Sequence, residues 1–393
     1  MRIAINGYFL QQPATGSGEH IYYLLEGLDG IEDPSSYIVA YPRLAESRTV
    51  RLPPLGPRFE MREVKGTARR LGVGLGKLWW EQAGLLELGR SESFDLLHCP
   101  YFASPLFPNV PTVVTIHDVI PLVLPEYRRA IHVRLYTHLV SAAARRARAI
   151  TTVSETAKKD IVRTLGIPAD RVHVIYNAAD SSLHPVADRS TLEALRETYG
   201  IEQDFLLYFG GFDVRKNVMR VVRAFGSARE SFQRPCQLLL AGSLGLVGHP
   251  LYPDPRPLIR KLGLESKVVL AGRIPEEDKA ILYSASTALV FPSLYEGFGM
   301  PVLEAMACGT PVVTSKLSSL PEVAGDAALM VDPTDVEALA GAMVRMVNDR
   351  SLRDELAGKG LRRASEFRWE DSAMKTLEVY RRAMSVGDGQ APS

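Results

Sequence analysis

The stretch from Ala288 to Val313 constrains the fold of this chain more than any other part of its sequence. It opens with an apolar run that has the length and the β-branched or aromatic content of a buried strand. A loop with two glycines follows, and Pro301 then takes a position typical of the first residue of a helix. The apolar run from Val302 to Cys308 predicts that helix, and Gly309 predicts its end. Pro311-Val312-Val313 predicts the next buried strand.

The loop in this stretch follows the carboxyl end of its strand, which is the edge of a parallel sheet where ligands bind. The helix start offers free N–H groups and a positive dipole end, which suit a phosphate. Glu296 before the helix and Glu304, expected in its first turn, flank that position. A phosphate repels a carboxylate unless hydroxyl groups lie between them. A sugar nucleotide has such hydroxyls on both sides of its diphosphate, so we expect a ligand of this class.

The same residues, read as EGFGMPVLEAMACGTPVV, resemble the signature of the retaining glycosyltransferases of family 4. The resemblance implies the GT-B architecture, in which two α/β, Rossmann-like, doubly wound parallel-sheet domains face each other across a cleft. It implies that Glu296 holds hydroxyls of the transferred sugar and that Glu304 holds those of the ribose. The implied donor-binding residues of this stretch are Phe298, Gly299, Met300, Pro301, Val302, Leu303 and Glu304. The glutamate spacing alone fits two solvated side chains in an ordinary crossover better.

Length and composition bound the organisation of the chain. Its 393 residues are too many for one hydrophobic core, which predicts two domains. We expect a first domain over residues 1–185, a polar linker over 181–190 and a second domain over 191–370. The resemblance implies that a helix at about 372–385 packs back on the first domain. The net charge of +1 argues against a dedicated nucleic-acid binder.

The cysteines and the hydropathy pattern indicate the compartment. Cys99, Cys236 and Cys308 are widely spaced in apolar segments, which fits reduced, buried thiols better than a disulfide framework or a zinc site. The first residues run directly into an apparent core strand without the pattern of a signal peptide. No apolar run has the length of a membrane span. We therefore expect a cytoplasmic protein, with peripheral contact at the inner membrane surface as an open option.

The amino-terminal segment combines a strand, a glycine loop and a helix. Arg2–Asn6 predicts the strand, Gly16-Ser17-Gly18 the loop, and 19–28 the helix. The loop is not a dinucleotide fingerprint, because Ile21 stands where that motif needs Gly or Ala. A plain loop and a binding loop fit the residues equally well. The family resemblance implies that Gly16, Ser17 and Gly18 contact the phosphates of the donor.

Apolar runs predict the remaining strands of the first domain at 36–41, 95–98, 113–116, 150–154 and 172–177. Residues 44–76 show no clear period, which predicts variable loops. A helix is expected to open at Leu78–Gln82, with its tryptophans packed rather than stacked on a sugar.

His117 and Asp118 follow the buried strand in the run PTVVTIHDVIP. On the dipeptide alone, a polar loop network is the simpler explanation. The run resembles the His-Asp motif of mannosyltransferase-like members of family 4. That resemblance implies that His117 lies beside the transferred sugar and that Asp118 organises the loop.

Residues 127–149 are helical in pattern and rich in arginine, which most often means a solvated face. Many members of the family glycosylate lipid-linked acceptors at a membrane surface. The resemblance therefore leaves open a peripheral contact with anionic lipids through 128–148.

In the second half, a strand at 205–209 and the pair Gly210-Gly211 precede Arg215 and Lys216, expected at a helix start. Arg offers a fork of donors and Lys a compact charge, so the pair suits an anion, although two surface cations fit the local pattern equally well. The segment resembles the phosphate-binding element of the family. Lys216 matches well, whereas many members have an arginine directly after the glycine, where this chain has Gly211 and then Phe212. We assign Arg215 to that role.

Two further strands, at 237–241 and 268–270, each end in a glycine, Gly242 and Gly272. The resemblance implies that the nucleotide base passes these turns, with Ser243 and Arg273 as contacts. Further helices are expected at 276–286, 335–348, 352–367 and 372–384, a sugar-facing loop at 318–323, and disorder over 387–393.

The predicted reaction is glycosyl transfer from a nucleoside diphosphate sugar with retention. Arg215, Lys216, the Gly16–Gly18 loop and the helix start at Phe298–Val302 would stabilise the departing diphosphate, so no metal and no cofactor are expected. No second carboxylate is well placed for a covalent double displacement, and the resemblance implies front-face attack. The choice of GDP-mannose as the donor rests only on the resemblance around His117. The acceptor implied by the resemblance is a glycan or a lipid-linked molecule.

Two other functions remain open from the sequence. One is a non-hydrolysing nucleotide-sugar epimerase, which shares the double α/β layout. The other is a protein that binds nucleotide sugars without turning them over.

Overall fold

The computed structural model describes residues 1–42, 50–64, 72–245 and 248–385, without the side chains of residues 72 and 73. The chain divides into two compact units. One comprises Met1–Asn177 with the residues from Arg368 onward, and the other comprises Ala178–Phe367. Residues 178–185, assigned to the first domain from the sequence, therefore belong to the second unit. The disorder predicted for 387–393 concerns residues outside the described part.

The first unit contains a sheet of seven strands with the order β3-β2-β1-β4-β5-β6-β7, and all its neighbouring strands are parallel. Its strands are β1 Arg2–Asn6, β2 Ser36–Pro42, β3 Phe59–Val64, β4 Leu96–Cys99, β5 Thr112–Thr115, β6 Ala149–Thr152 and β7 Val172–Val174. The order reverses between β1 and β4, which we call the first switch point. Crossover loops diverge at such a point and leave a crevice outside the carboxyl ends of the strands.

The second unit repeats this plan with six parallel strands in the order β10-β9-β8-β11-β12-β13. Its strands are β8 Asp204–Phe209, β9 Cys236–Ala241, β10 Val268–Gly272, β11 Ala288–Phe291, β12 Val312–Ser315 and β13 Ala328–Val331. The second switch point lies between β8 and β11. Two Rossmann-like, doubly wound parallel sheets were predicted, and that prediction is confirmed.

Helices cover both faces of each sheet. Those of the first unit are α1 Gly16–Asp29, α2 Gly72–Trp79, α3 Leu85–Ser91, α4 Ile120–Val123, α5 Ile131–Arg146, α6 Glu155–Leu165 and, at the end of the chain, α15 Trp369–Ser385. Those of the second unit are α7 Arg189–Tyr199, α8 Val218–Ala228, α9 Arg256–Lys261, α10 Glu276–Ala285, α11 Met300–Ala307, α12 Leu320–Ala324, α13 Val336–Asn348 and α14 Arg350–Ser365. Among the described residues, none of these helices is both long and apolar enough to span a bilayer.

The strands that carry the switch points are buried on both sides, which explains their continuous apolar runs. In the first unit, alternate residues of β1 contribute to two core clusters on opposite faces of the sheet, Ala4 to one, and Ile3 and Ile5 to the other. Helices α1 and α15 pack side by side on the second of these faces. A Cβ added to Gly27 of α1 would lie 2.9 Å from the backbone oxygen of Trp369, so the contact depends on a glycine.

The prediction of loops over 44–76 holds for residues 50–58, which form no strand or helix, and is wrong for two other described parts of this range. Strand β3 and the start of α2 lie in this range, while residues 43–49 and 65–71 are outside the described chain. Strand β3 is an edge strand with only β2 as its neighbour, and most of its residues are half-buried or exposed. An edge strand can carry charged residues such as Glu60 and Arg62, so its sequence lacks the apolar run by which the inner strands were found.

Candidate active site

The second switch point brings together two charged loops. The chain leaves β8 through Gly210-Gly211 and forms a 3-10 turn, Val214–Lys216, directly before α8. It leaves β11 through the loop that contains Glu296. Because β8 and β11 are neighbours, these loops meet, and Glu296 forms ion pairs with Arg215 at 2.8 Å and with Lys216 at 2.7 Å. The two cations thus lie on a turn before the helix, and not at the helix start that the sequence predicted.

Glu296 is almost completely buried, with 7% of its surface exposed. Burial alone would raise the pKa of its carboxyl group, but Lys216 and then Arg215 hold that pKa below its usual range. Burial lowers the pKa of Lys216, and the Glu296 carboxylate opposes this shift. The result is an ionised carboxylate between two cations, in a site with little access to water.

Backbone and polar contacts fix both loops. Asn217 takes a left-handed backbone conformation, with φ of 66°, and its side-chain amide donates to the carbonyls of Pro292 at 3.0 Å and Pro333 at 2.7 Å. The hydroxyl of Ser319 donates to the carbonyls of Glu296 and Phe298. The cationic turn is therefore tied directly to the loop that follows β11.

The start of α11 depends on one glycine. Gly299 has φ of 121°, and an added Cβ would lie 2.7 Å from Cδ2 of Leu320. The helix begins at Met300, so Pro301 is its second residue and not its first. Met300 and Pro301 are partly exposed, whereas Val302, Leu303 and the ring of Phe298 are buried. The exposed backbone at this helix start is the part that can face an anion.

Glu304 is the fifth residue of α11 and does not lie in its first turn, contrary to the prediction. Its buried carboxylate accepts a hydrogen bond from the hydroxyl of Tyr283 at 2.8 Å. Lys279 lies 3.8 Å from it and also pairs with Glu276 at 2.8 Å. The sequence analysis missed Lys279 because a lysine three residues after a glutamate in a helix usually marks only a local surface pair.

The turns after β8, β9 and β10 pack backbone against backbone. The N–H of Gly210 donates to Ala241, and the N–H of Gly242 donates to Gly272. A Cβ on Gly242 would lie 1.9 Å from the oxygen of Gly210. Ser243 and Arg273 follow two of these turns and are exposed on the same edge of the sheet, while Gly211 has open space around it.

The first switch point holds a polar cluster that the sequence analysis did not identify. Glu81 is fully buried, and both of its carboxylate oxygens accept from the hydroxyl of Tyr136, at 2.9 and 3.0 Å. Lys77 lies 3.5 Å from the same carboxylate. Burial raises the pKa of Glu81, with Lys77 and Tyr136 opposing the rise. The residues between α2 and α3 form a π-helical turn, Trp80–Gly84, which includes this carboxylate.

His117 follows β5 on the carboxyl edge of the first sheet. Its Nε2 lies 3.2 Å from the carbonyl oxygen of Pro100, which can only accept, so Nε2 carries the proton and Nδ1 is free to accept. The ring of His20 meets it edge to face at 4.6 Å, and Nδ1 of His20 donates to Asn177 at 3.0 Å. Burial lowers the pKa of His20 to about 3 and that of His117 to about 4. Asp118 accepts from the N–H of Ile120, as a loop organiser would.

The predicted glycine loop of the first unit is wrong, because Gly16, Ser17 and Gly18 form the first turn of α1. The hydroxyl of Thr15 caps this turn by accepting from the N–H of Gly18 at 3.1 Å. A Cβ on Gly18 would lie 2.2 Å from the oxygen of Gln12, whereas one on Gly16 would meet nothing within 4 Å. Gly18 is therefore required for packing, and only the exposed Gly16 and half-buried Ser17 can face a ligand.

Comparison with protein families matches both halves of the chain. Residues 14–183 match the family described as Glycosyltransferase Family 4, and residues 192–363 match the family described as Glycosyl transferases group 1. The two matches together cover every strand of both parallel sheets except β1. The helix α15 also lies outside them.

Curated relatives agree with this assignment. The O-antigen chain mannosyltransferase B of Escherichia coli is 34% identical over 269 residues, which are 68% of this chain and 70% of that protein. An MMP alpha-(1->4)-mannosyltransferase of Mycolicibacterium hassiacum is 30% identical over 76% of this chain and 72% of its own length. The match to the serotype-specific mannosyltransferase WbdA of E. coli, at 30% identity, spans 72% of this chain but only 36% of that longer protein.

Solved structures share the fold at low sequence identity. A sucrose-phosphate synthase from Thermosynechococcus elongatus superposes with a TM-score of 0.78 at 23% identity, over 98% of this chain and 100% of that chain. Anabaena HepE in complex with UDP and glucose superposes with a TM-score of 0.73 at 18% identity, over 97% of this chain and 99% of that chain. The chain therefore belongs to glycosyltransferase family 4 and is a glycosyltransferase of the GT-B fold that resembles mannosyltransferases.

Proposed function

We propose that this glycosyltransferase retains configuration and transfers mannose from GDP-mannose to a glycan or lipid-linked acceptor, in the biosynthesis of a polysaccharide. The choice of mannose is supported by the relatives named as mannosyltransferases, which match over two thirds or more of this chain. One of these is named for the O-antigen chain, which supports a glycan acceptor.

One observation carries the proposal, namely the ionised Glu296 between Arg215 and Lys216 at the second switch point. Breaking the bond between sugar and diphosphate leaves negative charge on the diphosphate and positive charge on the sugar ring. The two cations would stabilise the first charge and the carboxylate would hold the sugar hydroxyls next to the second. A bound diphosphate would take over hydrogen bonds that Arg215 and Lys216 now give to Glu296, which frees the carboxylate for the sugar.

The same edge of the second sheet would bind the rest of the donor. The exposed backbone at Met300 and Pro301 suits the diphosphate, and the buried Phe298, Gly299, Val302 and Leu303 hold that backbone in place. Glu304, oriented by Tyr283, would accept hydrogen bonds from the ribose. Gly211, Ser243 and Arg273 lie on open turns where a base can approach the backbone.

In the first unit, His117 would accept a hydrogen bond from a sugar hydroxyl through Nδ1, because its Nε2–H is engaged with Pro100. Gly16 and Ser17 at the start of α1 would approach the donor phosphates, while Gly18 supports the turn. Retention would follow from attack on the face that the diphosphate leaves, with the diphosphate taking the proton of the acceptor hydroxyl.

We also propose that the reaction needs neither a metal ion nor a cofactor, since Arg215 and Lys216 supply fixed positive charge at the leaving group. Turnover that is unchanged after treatment with a chelator of divalent cations would support this, and turnover restored only by an added cation would contradict it.

Peripheral membrane contact through 128–148 is proposed for the delivery of a lipid-linked acceptor. Ile131 and Leu135, one helical turn apart on α5, are each 66% exposed, and the exposed Arg134 lies beside them. Apolar side chains flanked by arginine suit the surface of an anionic bilayer. Flotation with anionic vesicles that is lost in Ile131→Ser/Leu135→Ser would support this contact.

The central experiment measures GDP release from GDP-mannose by the purified protein, with GDP-glucose and UDP-glucose as competing donors. We expect release from GDP-mannose above all, its near loss in Glu296→Ala, and an α-linked product by NMR, because the donor linkage is α. A β-linked product would contradict retention, and equal release by the variant would contradict the role of Glu296. Release from UDP-glucose alone would contradict the donor.

A further inference from the structure

A large cavity opens on the edge of the first sheet that faces away from His117. Its volume is about 1110 Å³, and it lies at the amino ends of β5, β6 and β7. The loop before β5, the end of α5 and the end of α15 complete its walls. Since the donor and sugar residues proposed above follow the carboxyl ends of strands, this cavity is separate from the transferase site.

The cavity is strongly cationic. Its lining includes arginines from three places in the chain, Arg145, Arg146, Arg148, Arg171 and Arg382, together with His173. The one carboxylate in the lining is Asp170. Within the described residues, none of these arginines forms a salt bridge.

Part of this charge is matched by the backbone. The guanidinium of Arg171 donates to the carbonyls of Arg145 and Ala147 at the end of α5, and Nε of Arg145 donates to Leu165 at 2.7 Å. A helix carboxyl end carries roughly half a negative charge, and α5 and α15 both end here. Two half charges and Asp170 do not balance five arginines. Burial and then Arg382 lower the pKa of His173, as expected where cations crowd one another.

Two of the arginines have side chains free to reach a ligand. Arg148 and Arg382 are exposed and form no side-chain hydrogen bond within the described chain. Arg146 lies 4.3 Å from the ring of Phe107, which is 67% exposed at the rim. The guanidinium fork of each arginine matches two oxygens of a phosphate, so several forks around one space favour an anion with several such groups.

We propose that this cavity binds an anion with more than one phosphate group. Two sources supply that chemistry, a soluble polyphosphate compound and the phosphate headgroups of a membrane. The proposal does not depend on the transferase reaction, because its residues lie on the opposite edge of the sheet from His117.

The test uses the full chain and inorganic triphosphate, with hydrogen–deuterium exchange as a readout that identifies the region protected. Wild-type protein should show slower exchange in peptides that cover 106–112 and 145–149. In Arg148→Gln/Arg382→Gln, the triphosphate concentration for half-maximal protection should rise about tenfold, because two charge-assisted contacts are lost. The control, Arg223→Gln/Arg362→Gln, has the same net charge and removes exposed arginines of the second unit, outside the cavity and outside residues 128–148. It should bind as the wild type does.

A second arm measures flotation with vesicles of phosphatidylglycerol and phosphatidylcholine. If the cavity variant loses flotation and triphosphate protects nothing in the wild type, the ligand is a membrane phosphate. If the variant floats normally but loses protection by triphosphate, the ligand is soluble. If the variant loses both, the cavity accepts both sources. The proposal is overturned if the cavity and control variants behave alike in both arms, or if protection appears only around Arg215 and Lys216.

Discussion

Both switch points contain a buried glutamate next to a lysine, yet the pKa values of the two carboxyl groups shift in opposite directions. Glu296 in the second unit lies between Lys216 and Arg215, and its pKa is held below the usual range. Glu81 in the first unit has a single cation at 3.5 Å and a tyrosine hydroxyl, and its pKa is raised. Burial acts in the same direction on both groups. The number of cations in contact therefore decides in which direction each pKa shifts.

The cations differ as well. Nζ of Lys216 lies 4.7 Å from the ring of Phe291 and is held mainly by Glu296. Nζ of Lys77 is surrounded by four aromatic rings at distances from 5.2 to 5.9 Å, those of Tyr8, Phe9, Tyr101 and Tyr136. Cation–π contacts and a tyrosine hydrogen bond make the first cluster a closed network. Under the proposed function, the arginine and lysine of the second cluster exchange a carboxylate for a phosphate.

The largest expected difference between the clusters is in turnover. Glu296→Gln should lower kcat/KM about 1000-fold, because the charge next to the developing positive sugar ring is lost. Glu81→Gln should lower it less than about tenfold, because its carboxylate is already committed to Tyr136 and Lys77. Initial rates of GDP release measure both, with circular dichroism as the control for folding. Similar losses in the two variants would place both carboxylates in the reaction.

The next difference is in stability. Glu296→Gln leaves two largely buried cations without a counter-charge and should cost about 3 kcal/mol in the free energy of unfolding. Glu81→Gln keeps an acceptor for Tyr136 and leaves only the partly exposed Lys77 unpaired, so we expect a change of about 1 kcal/mol or less. Urea denaturation at neutral pH measures both values. A larger cost for Glu81→Gln would show that the aromatic cage does not stabilise Lys77.

As the pH falls, protonation of buried histidines in the first unit should lower the stability of the protein before protonation of Glu296 does. Burial lowers the pKa of His20 and of His98, which lies in β4, to about 3 and that of His117 to about 4, so these side chains are neutral when folded. Unfolded histidines bind protons near pH 6.5, and their contribution to stability is therefore present above that pH and lost as pH falls towards 4. The lowered pKa of Glu296 acts in the same sense but at lower pH, below the range of an unfolded carboxyl group.

Between its unfolded and folded pKa values, each of these histidines should change the free energy of unfolding by about 1.4 kcal/mol per pH unit. His117→Gln should remove one such contribution between pH 6.5 and 4. Urea denaturation across this range measures the slope, with the exposed His138→Gln as the control. An unchanged slope in His117→Gln would mean that this histidine is already protonated or stays accessible to water.

The smallest effects concern two glycines in the first turn of α1. Gly18→Ala would place a Cβ 2.2 Å from a backbone oxygen, and the forced shift should cost about 1 kcal/mol. Gly16→Ala meets open space and should be neutral or stabilising by about 0.5 kcal/mol, because alanine restricts the unfolded chain. Thermal unfolding of the pair measures the difference. Equal midpoints would show that the turn adjusts without strain.

Several features of the site could be predicted from local sequence. Apolar runs located the inner strands, and Gly210-Gly211 and Gly299 marked the turns that follow β8 and precede α11. Because parallel strands place their carboxyl ends on one edge, Arg215, Lys216 and Glu296 could be assigned to that edge from the order of strands and loops. The edge strand β3 escaped this reasoning, since its residues face solvent as often as they face the core.

Spacing and hydropathy in this chain determine which segments become strands and helices, because those signals arise among residues a few positions apart. They do not determine which charged groups meet. Arg215 and Glu296 are 81 positions apart, and their contact exists only because β8 and β11 are neighbours in the sheet. Strand order likewise brings together the partners on which three other features depend. These are the four aromatic rings around Lys77, the contact of Lys279 with Glu304 and the tautomer of His117. Local residue patterns carry no record of that order, so the direction in which the pKa of each buried group shifts was decided by the assembled fold.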